Sequence, residues 1–193
     1  MRNKTSTLIF IALFAVLMAG AYLFYTNLKD TAGKIPSETE NGSLSGTAEP
    51  DKVPAADFTV FDGEGNPIDL SDFSGSPVIL NFWASWCHYC KLEMPDFEEA
   101  FAQYGDDVVF MMIDVADGKR ETRESGQAYI DENGYTFPVY FDTGLEAASA
   151  YNITGLPTTV FIDADGNIAK TVSGAQTLEK LTAEIDKIAP GTD

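Results

Sequence analysis

The hydrophobic pattern opens on Leu8 to Tyr25, an unbroken run of 18 apolar or small residues, with no charged side chain between Lys4 and Lys29. At ~1.5 Å per residue the run reaches ~27 Å, close to the hydrocarbon thickness of a bilayer. Residues 31–52 follow with only Ile35 and Leu44 as large apolar residues among Gly, Ser, Thr, Glu and Pro. That composition predicts a flexible tether with an r.m.s. span of about 25 Å. From Val53 onward the pattern changes to short strands and helices. Phe58–Phe61 and Pro67–Leu70 flank a turn-rich DGEGN and predict a β-hairpin. Val78–Ala84 and Val108–Val115 are continuous apolar runs of strand length, as expected for central strands covered on both faces. Between them, Cys90–Tyr104 has helical spacing. Thr122–Glu132 predicts a helix closed by Asn133-Gly134, Phe137–Phe141 a short strand and Leu145–Tyr151 a short helix. Thr158–Ile162 and Ile168–Val172 flank DADGN, a second hairpin signal, and Leu178, Leu181, Ile185 and Ile188 form the stripe of a terminal helix. The order βαβ, then ββα, predicts an α/β domain with a mixed sheet flanked by helices.

Charge sharpens this division into 1–30, 31–52 and 53–193. The chain has 12 Lys+Arg and 30 Asp+Glu, a net charge of −18; residues 53–193 hold seven of the basic and 25 of the acidic residues, so the last segment accounts for all of it. So acidic a surface repels phosphate backbones and anionic headgroups, which excludes nucleic acid as a partner. Arg2 and Lys4 precede the apolar run while Lys29 and Asp30 cancel after it. The positive-inside rule then keeps the N-terminus cytoplasmic and sends the acidic domain across the membrane. A cleaved signal peptide competes with an uncleaved anchor, because Ala19-Gly20-Ala21 has the small-x-small form. The anchor is preferred, since that site lies inside the run and Tyr22-Leu23-Phe24-Tyr25 follow it. The expectation is a single-pass membrane protein held through residues 8–25.

Only two cysteines are present, both in Cys87-His88-Tyr89-Cys90, where a buried strand gives way to a helix. Helix N-terminal amides and the macrodipole stabilise an anion there. A free thiol of pKa ~8.5 is about 3% thiolate at pH 7, and this placement lowers that pKa. Cys87 is then the candidate nucleophile and Cys90 the resolving thiol of a redox-active disulfide. A purely structural disulfide closing so short a loop stabilises little. Covalent haem needs His directly after the second cysteine, where Lys91 stands, and zinc needs more ligands than two thiolates and the one histidine offer. No metal or cofactor is expected. A thiophilic ion such as Cu(I) remains as a non-enzymatic alternative.

Taking about 100° per residue from Cys90, the stripe of Met94, Phe97, Phe101 and Tyr104 lies within about 40°, and Glu93 falls about 60° away at its edge. Asp96, Glu98 and Glu99 lie farther round. Glu93 is therefore the acid of this helix best placed to be buried near the thiols, where its pKa would rise and it could exchange a proton with Cys90. The other reading, an edge carboxylate reaching solvent, stays open on geometry alone. Pro95 removes the bond to the Lys91 carbonyl and predicts a kink. His88 is expected to be an exposed modulator of the thiolate.

The segment Asn81-Phe82-Trp83-Ala84-Ser85-Trp86-Cys87-His88-Tyr89-Cys90, then Glu93 and Pro95, then Gly155-Leu156-Pro157-Thr158-Thr159, resembles the membrane-anchored thioredoxin-like proteins of the ResA and TlpA type over about residues 53–190. The resemblance implies a thioredoxin fold with an N-terminal β-hairpin and a central αβ insertion. It implies that Glu93 is a buried acid acting in proton transfer. Pro157 would be cis and, with Leu156, would present backbone to an extended substrate, and Trp86 would shield the thiols. His88 and Tyr89 then complete the substrate-facing set. Such proteins typically reduce specific disulfides outside the cytoplasmic membrane, including that of apocytochrome c before haem attachment, and are recharged by a membrane donor of the CcdA or DsbD type. Their dipeptide commonly ends in Pro, where Tyr89 stands here, and dipeptide identity tunes the potential.

Three other roles fit parts of the same pattern: a thiol oxidase, an electron donor to another extracytoplasmic reductase such as a methionine sulfoxide reductase, and a copper carrier. A peroxiredoxin shares such a core, but its cysteine usually follows Thr or Ser by three residues, and Ala84 holds that place. Sco-type copper carriers use CxxxC and a later His, and no His follows His88.

Overall fold

The computed structural model describes residues 52–189 together with residues 14, 17–20 and 22, which are helical. The remainder of the expected membrane span and of the tether, and residues 190–193, lie outside the described residues. Among the described residues, no helix is long and apolar enough to cross a membrane. The chain divides into two units, Met1–Thr47 and Ala48–Asp193, and the fold of the second follows.

Eight strands form one sheet: β1 Val53–Pro54, β2 Thr59–Phe61, β3 Pro67–Asp69, β4 Val78–Trp83, β5 Val109–Asp114, β6 Val139–Phe141, β7 Thr158–Ile162 and β8 Asn167–Ser173. Among the described residues of this unit, four α-helices accompany them, α1 His88–Tyr104, α2 Arg123–Asn133, α3 Glu146–Ala150 and α4 Leu178–Ile188, with a 3-10 turn at Leu70–Phe73. The strand order is β1-β8-β7-β4-β5-β6-β2-β3. β4 runs parallel to β5 and antiparallel to β7, so the sheet is mixed. The β2–β3 hairpin pairs Val60 with Ile68 and attaches to β6 through Phe61 and Phe141. The two-residue β1, which no periodicity could announce, pairs with β8 at the opposite edge.

Alternation along the central strands supplies two cores. Ile79, Trp83, Phe110, Met112 and Phe161 face α1, α2 and α4, from which Cys90, Met94, Phe97, Ile130, Leu181 and Ile185 descend. Leu80, Phe82, Met111, Ile113 and Val160 face the other way, onto Phe58, Val60, Leu70 and Ala147. All six residues of β4 are buried, which explains why VILNFW reads as a continuous run. Its one polar member, Asn81, points to the same face as α1 by parity with Ile79 and Trp83.

α1 runs unbroken through Pro95, which is exposed. The lost hydrogen bond at Pro95 therefore leaves a carbonyl on the solvent side, where water can satisfy it. α2 begins at the N-cap Thr122, whose hydroxyl accepts from Ser125 N, and ends at Gly134 with φ 69°, the left-handed cap that glycine adopts without steric cost.

Candidate active site

Cys87 is the N-cap of α1: its Sγ accepts from Cys90 N at 3.2 Å, and the two cysteines form a disulfide. The helix thus starts at the sulfur, two residues earlier than side-chain periodicity indicates, because His88 and Tyr89 turn outward to solvent. Cys87 is 5% exposed and Cys90 0%. The outer sulfur is the one an incoming disulfide can reach, and it is also the one facing the helix-terminal amides.

Glu93, one turn along α1, is fully buried. Asn81 Nδ2 donates to its Oε1 and Gln176 N to its Oε2, each at 2.8 Å. Asn81 Nδ2 also lies 3.2 Å from Thr159 Oγ1, its register partner on β7. Burial pushes the Glu93 carboxyl up to about 7, against the lowering pull of those two donors, and no cation offsets it. Two neutral hydrogen bonds fix the carboxylate without neutralising it, which leaves a proton acceptor matched to neutral pH.

Antiparallel pairing of Phe82 with Thr158 sets Pro157 beside the end of β4, from which the loop Ala84–Trp86 leads to Cys87. The Leu156–Pro157 bond is cis. Leu156 is half-buried against the core that holds the cysteines, and Pro157 O accepts from Gly174 N at 2.9 Å. His88 and Tyr89 are exposed, their rings 5.5 Å apart edge to face. Trp86 is 40% exposed, and the Arg120 guanidinium lies 3.4 Å from its ring centroid. Leu92, not singled out in the sequence, extends this exposed apolar rim.

Asn81, Thr159 and Gln176 complete the surroundings of Glu93. Asn81 carried a signal, since a polar residue inside a fully buried strand must find a partner. Gln176 carried none, because it acts through a backbone N–H that any residue but proline provides.

A second buried acid lies on the same face. Asp114 is the register partner of Trp83, and both its oxygens and Trp83 Nε1 are buried without a hydrogen-bond partner. A Cβ at Gly126 would run into this carboxylate, so α2 needs glycine there. Burial, with a smaller contribution from the Glu121 charge, pushes Asp114 up to about 8 from an ordinary 3.8. The folded chain therefore holds a proton that the unfolded chain has released, so the contribution of Asp114 to stability is full below pH 4 and is lost as pH rises through about 8. Asp114→Asn is expected to flatten that decline and to gain on the order of 5 kcal/mol at pH 8. Urea unfolding midpoints of both proteins at pH 4 and pH 8 measure it.

A disulfide-bonded CxxC pair on a helix N-terminus, a buried acid behind it and a cis-proline loop alongside define a thioredoxin-fold thiol–disulfide site. The AhpC/TSA family pattern matches residues 52–171, and the chain belongs to that family. Within it, the chain is a thiol–disulfide oxidoreductase of the ResA type. It is 37% identical to the thiol-disulfide oxidoreductase ResA of Bacillus thuringiensis (strain Al Hakam) over 136 residues, 70% of this chain and 77% of the relative. The corresponding figures for ResA of Oceanobacillus iheyensis are 41% over 123 residues, 64% and 62%. Among solved structures, StoA from Bacillus subtilis is similar with a TM-score of 0.59 at 30% identity, covering 67% of this chain and 96% of that one. A thiol:disulfide interchange protein from Chlorobium tepidum has a TM-score of 0.64 at 26% identity, covering 73% and 99%.

Proposed function

We propose that this oxidoreductase works as a membrane-anchored reductant of disulfides in exported proteins, apocytochrome c among them. The N-terminal apolar run at residues 8–25 is the anchor in this reading. The redox domain is extracytoplasmic, and a CcdA- or DsbD-type membrane protein restores the dithiol. The observation that carries the mechanism is the buried, uncompensated Glu93 carboxylate one turn from a buried Cys90.

Reduced Cys87 attacks a substrate disulfide as thiolate, forming a mixed disulfide and releasing one substrate thiol. Cys90 passes its proton to Glu93 and attacks the Cys87 sulfur. The Cys87–Cys90 disulfide forms and the second substrate thiol leaves, so two electrons pass from the protein to the substrate. Leu156 and the outward-facing Trp86, His88 and Tyr89 offer the substrate segment backbone and apolar contact.

Equilibration of the full chain in detergent against glutathione couples of defined ratio tests the direction. The expected dithiol is more reducing than glutathione; a dithiol that persists against oxidised glutathione identifies a thiol oxidase and overturns the reading. The net charge of −18 gives a further expectation. Basic substrates are steered to this surface, so their second-order reduction rate should fall severalfold as ionic strength rises from about 0.01 to 0.15 M. Stopped-flow rates on a basic disulfide peptide, set against an acidic one, measure this.

A further inference from the structure

We propose that Glu121, in the segment between β5 and α2, is a positioning residue for thiol–disulfide exchange: it holds the loop that presents Cys87. The side chain is 1% exposed. Its Oε2 accepts from Ser85 N at 3.0 Å and from Ser85 Oγ at 2.8 Å. Its Oε1 lies 2.8 Å from Ser125 Oγ, whose proton can go there or to the Thr122 carbonyl at 2.9 Å. Ser85 stands two residues before Cys87, in a loop whose other backbone tie is the bond from Cys87 N to Ala84 O at 3.0 Å.

The neighbouring residue grips the same loop. Arg120 stacks on Trp86, with 3.4 Å between its guanidinium carbon and the ring centroid. Both residues project from one turn that its own side chain makes rigid. Asp117 Oδ1 accepts from Lys119 N and Arg120 N at 2.8 Å and from Glu121 N at 3.0 Å, and Gly118 N donates to Glu121 O at 2.9 Å. One turn of the insertion therefore fixes the backbone at Ser85 through Glu121 and the indole at Trp86 through Arg120, immediately before the nucleophile.

Among the described residues the Glu121 carboxylate forms no ion pair; its contacts are the hydrogen bonds to Ser85 and Ser125. What it secures is an acceptor for a loop amide and a hydroxyl. With that grip lost, Ser85 N–H has no partner and the take-off into Cys87, whose sulfur caps α1, is free to shift. Displacements on the order of 1 Å at a reacting centre are enough to cost large factors in rate.

The test uses the full chain, pre-reduced, with a disulfide-bonded peptide as substrate. Glu121→Ala should lower kcat/KM on the order of tenfold. Glu121→Gln should stay within about threefold, because its amide oxygen can take both Ser85 donors while its NH2 faces Ser125 Oγ, itself able to accept. Iodide quenching, which reaches the exposed Trp86 and not the buried Trp83, should change in Glu121→Ala and in Arg120→Ala, and the latter should raise KM for the peptide. Unchanged kcat/KM in Glu121→Ala overturns the proposal. So does a parallel loss in the Ala and Gln variants that tracks their melting temperatures with quenching unaltered. If Glu121→Ala does not fold, the exposed truncation Arg120→Ala decides: wild-type quenching and KM there reject the positioning turn.

Discussion

Reduced Cys90→Ser protein, incubated with a disulfide-bonded substrate, accumulates a covalent adduct through Cys87 that a small thiol releases. Its catalytic turnover falls on the order of a thousandfold, to the background of uncatalysed exchange. The asymmetry of the site dictates which cysteine holds the adduct. Cys87 sulfur caps α1, faces its first amides and keeps a small exposure, whereas Cys90 is fully enclosed. Attack therefore begins at Cys87, and only the neighbouring sulfur can resolve the product. A serine oxygen cannot take that role, because its hydroxyl is not ionised at neutral pH and an oxygen nucleophile does not displace the substrate thiolate to form a stable bond to the Cys87 sulfur. Mass spectrometry of the adduct, with the linked peptide mapped, measures the result. An adduct on Cys90 in a Cys87→Ser protein, and none on Cys87 in Cys90→Ser, would reverse the assigned roles.

Glu93→Gln should slow the resolving step about a hundredfold and erase its pH dependence near neutrality. The carboxylate must be ionised to take the Cys90 proton, and burial lifts it to about 7. The wild-type rate of mixed-disulfide resolution therefore rises with pH through about 7, while the amide variant lacks that rise. Stability moves the opposite way. The folded-state value lies above the ordinary 4.5, so the contribution is full below pH 4.5 and is lost as pH climbs through about 7. The total loss is about 3 kcal/mol. Glu93→Gln removes it, although the new NH2 faces the Gln176 N–H and returns part of the gain. Single-turnover resolution rates and urea midpoints, each at pH 5 and pH 8, test both signs. A variant at once slower and more stable at pH 8 identifies a functional acid, whereas an unchanged rate removes Glu93 from proton transfer.

The central strands and most helices of this domain are legible in the sequence, and each difference has a local physical cause. Val78–Ala84 and Val108–Val115 were continuous because both their faces are covered, and they became β4 and β5 within one residue at each end. Periodicity starts the helix after the cysteines at Cys90, because it registers only buried side chains; hydrogen bonding begins it at His88. β1 is held by two pairings with β8, a long-range match that leaves no mark on two residues. Around the cysteines, the helical angle placed Glu93 at the edge of the apolar stripe and left its exposure open, because burial there depends on what packs over the edge.

The sequence by itself determined a dithiol at a strand-to-helix junction, a mixed α/β core, and the extreme acidity of everything after residue 52. These follow from properties each residue carries with it: its period, its charge and its chemistry. Only the tertiary structure decided that Glu93 lies between Asn81 of β4 and the amide of Gln176, that Asp114 is sealed beneath Gly126, and that Glu121 reaches back to Ser85. Those groups are separated by 12, 83 and 36 positions in the pairs that hydrogen-bond. A carboxylate's environment, and hence its protonation and its role, is set by neighbours that only the folded sheet and helices bring within reach.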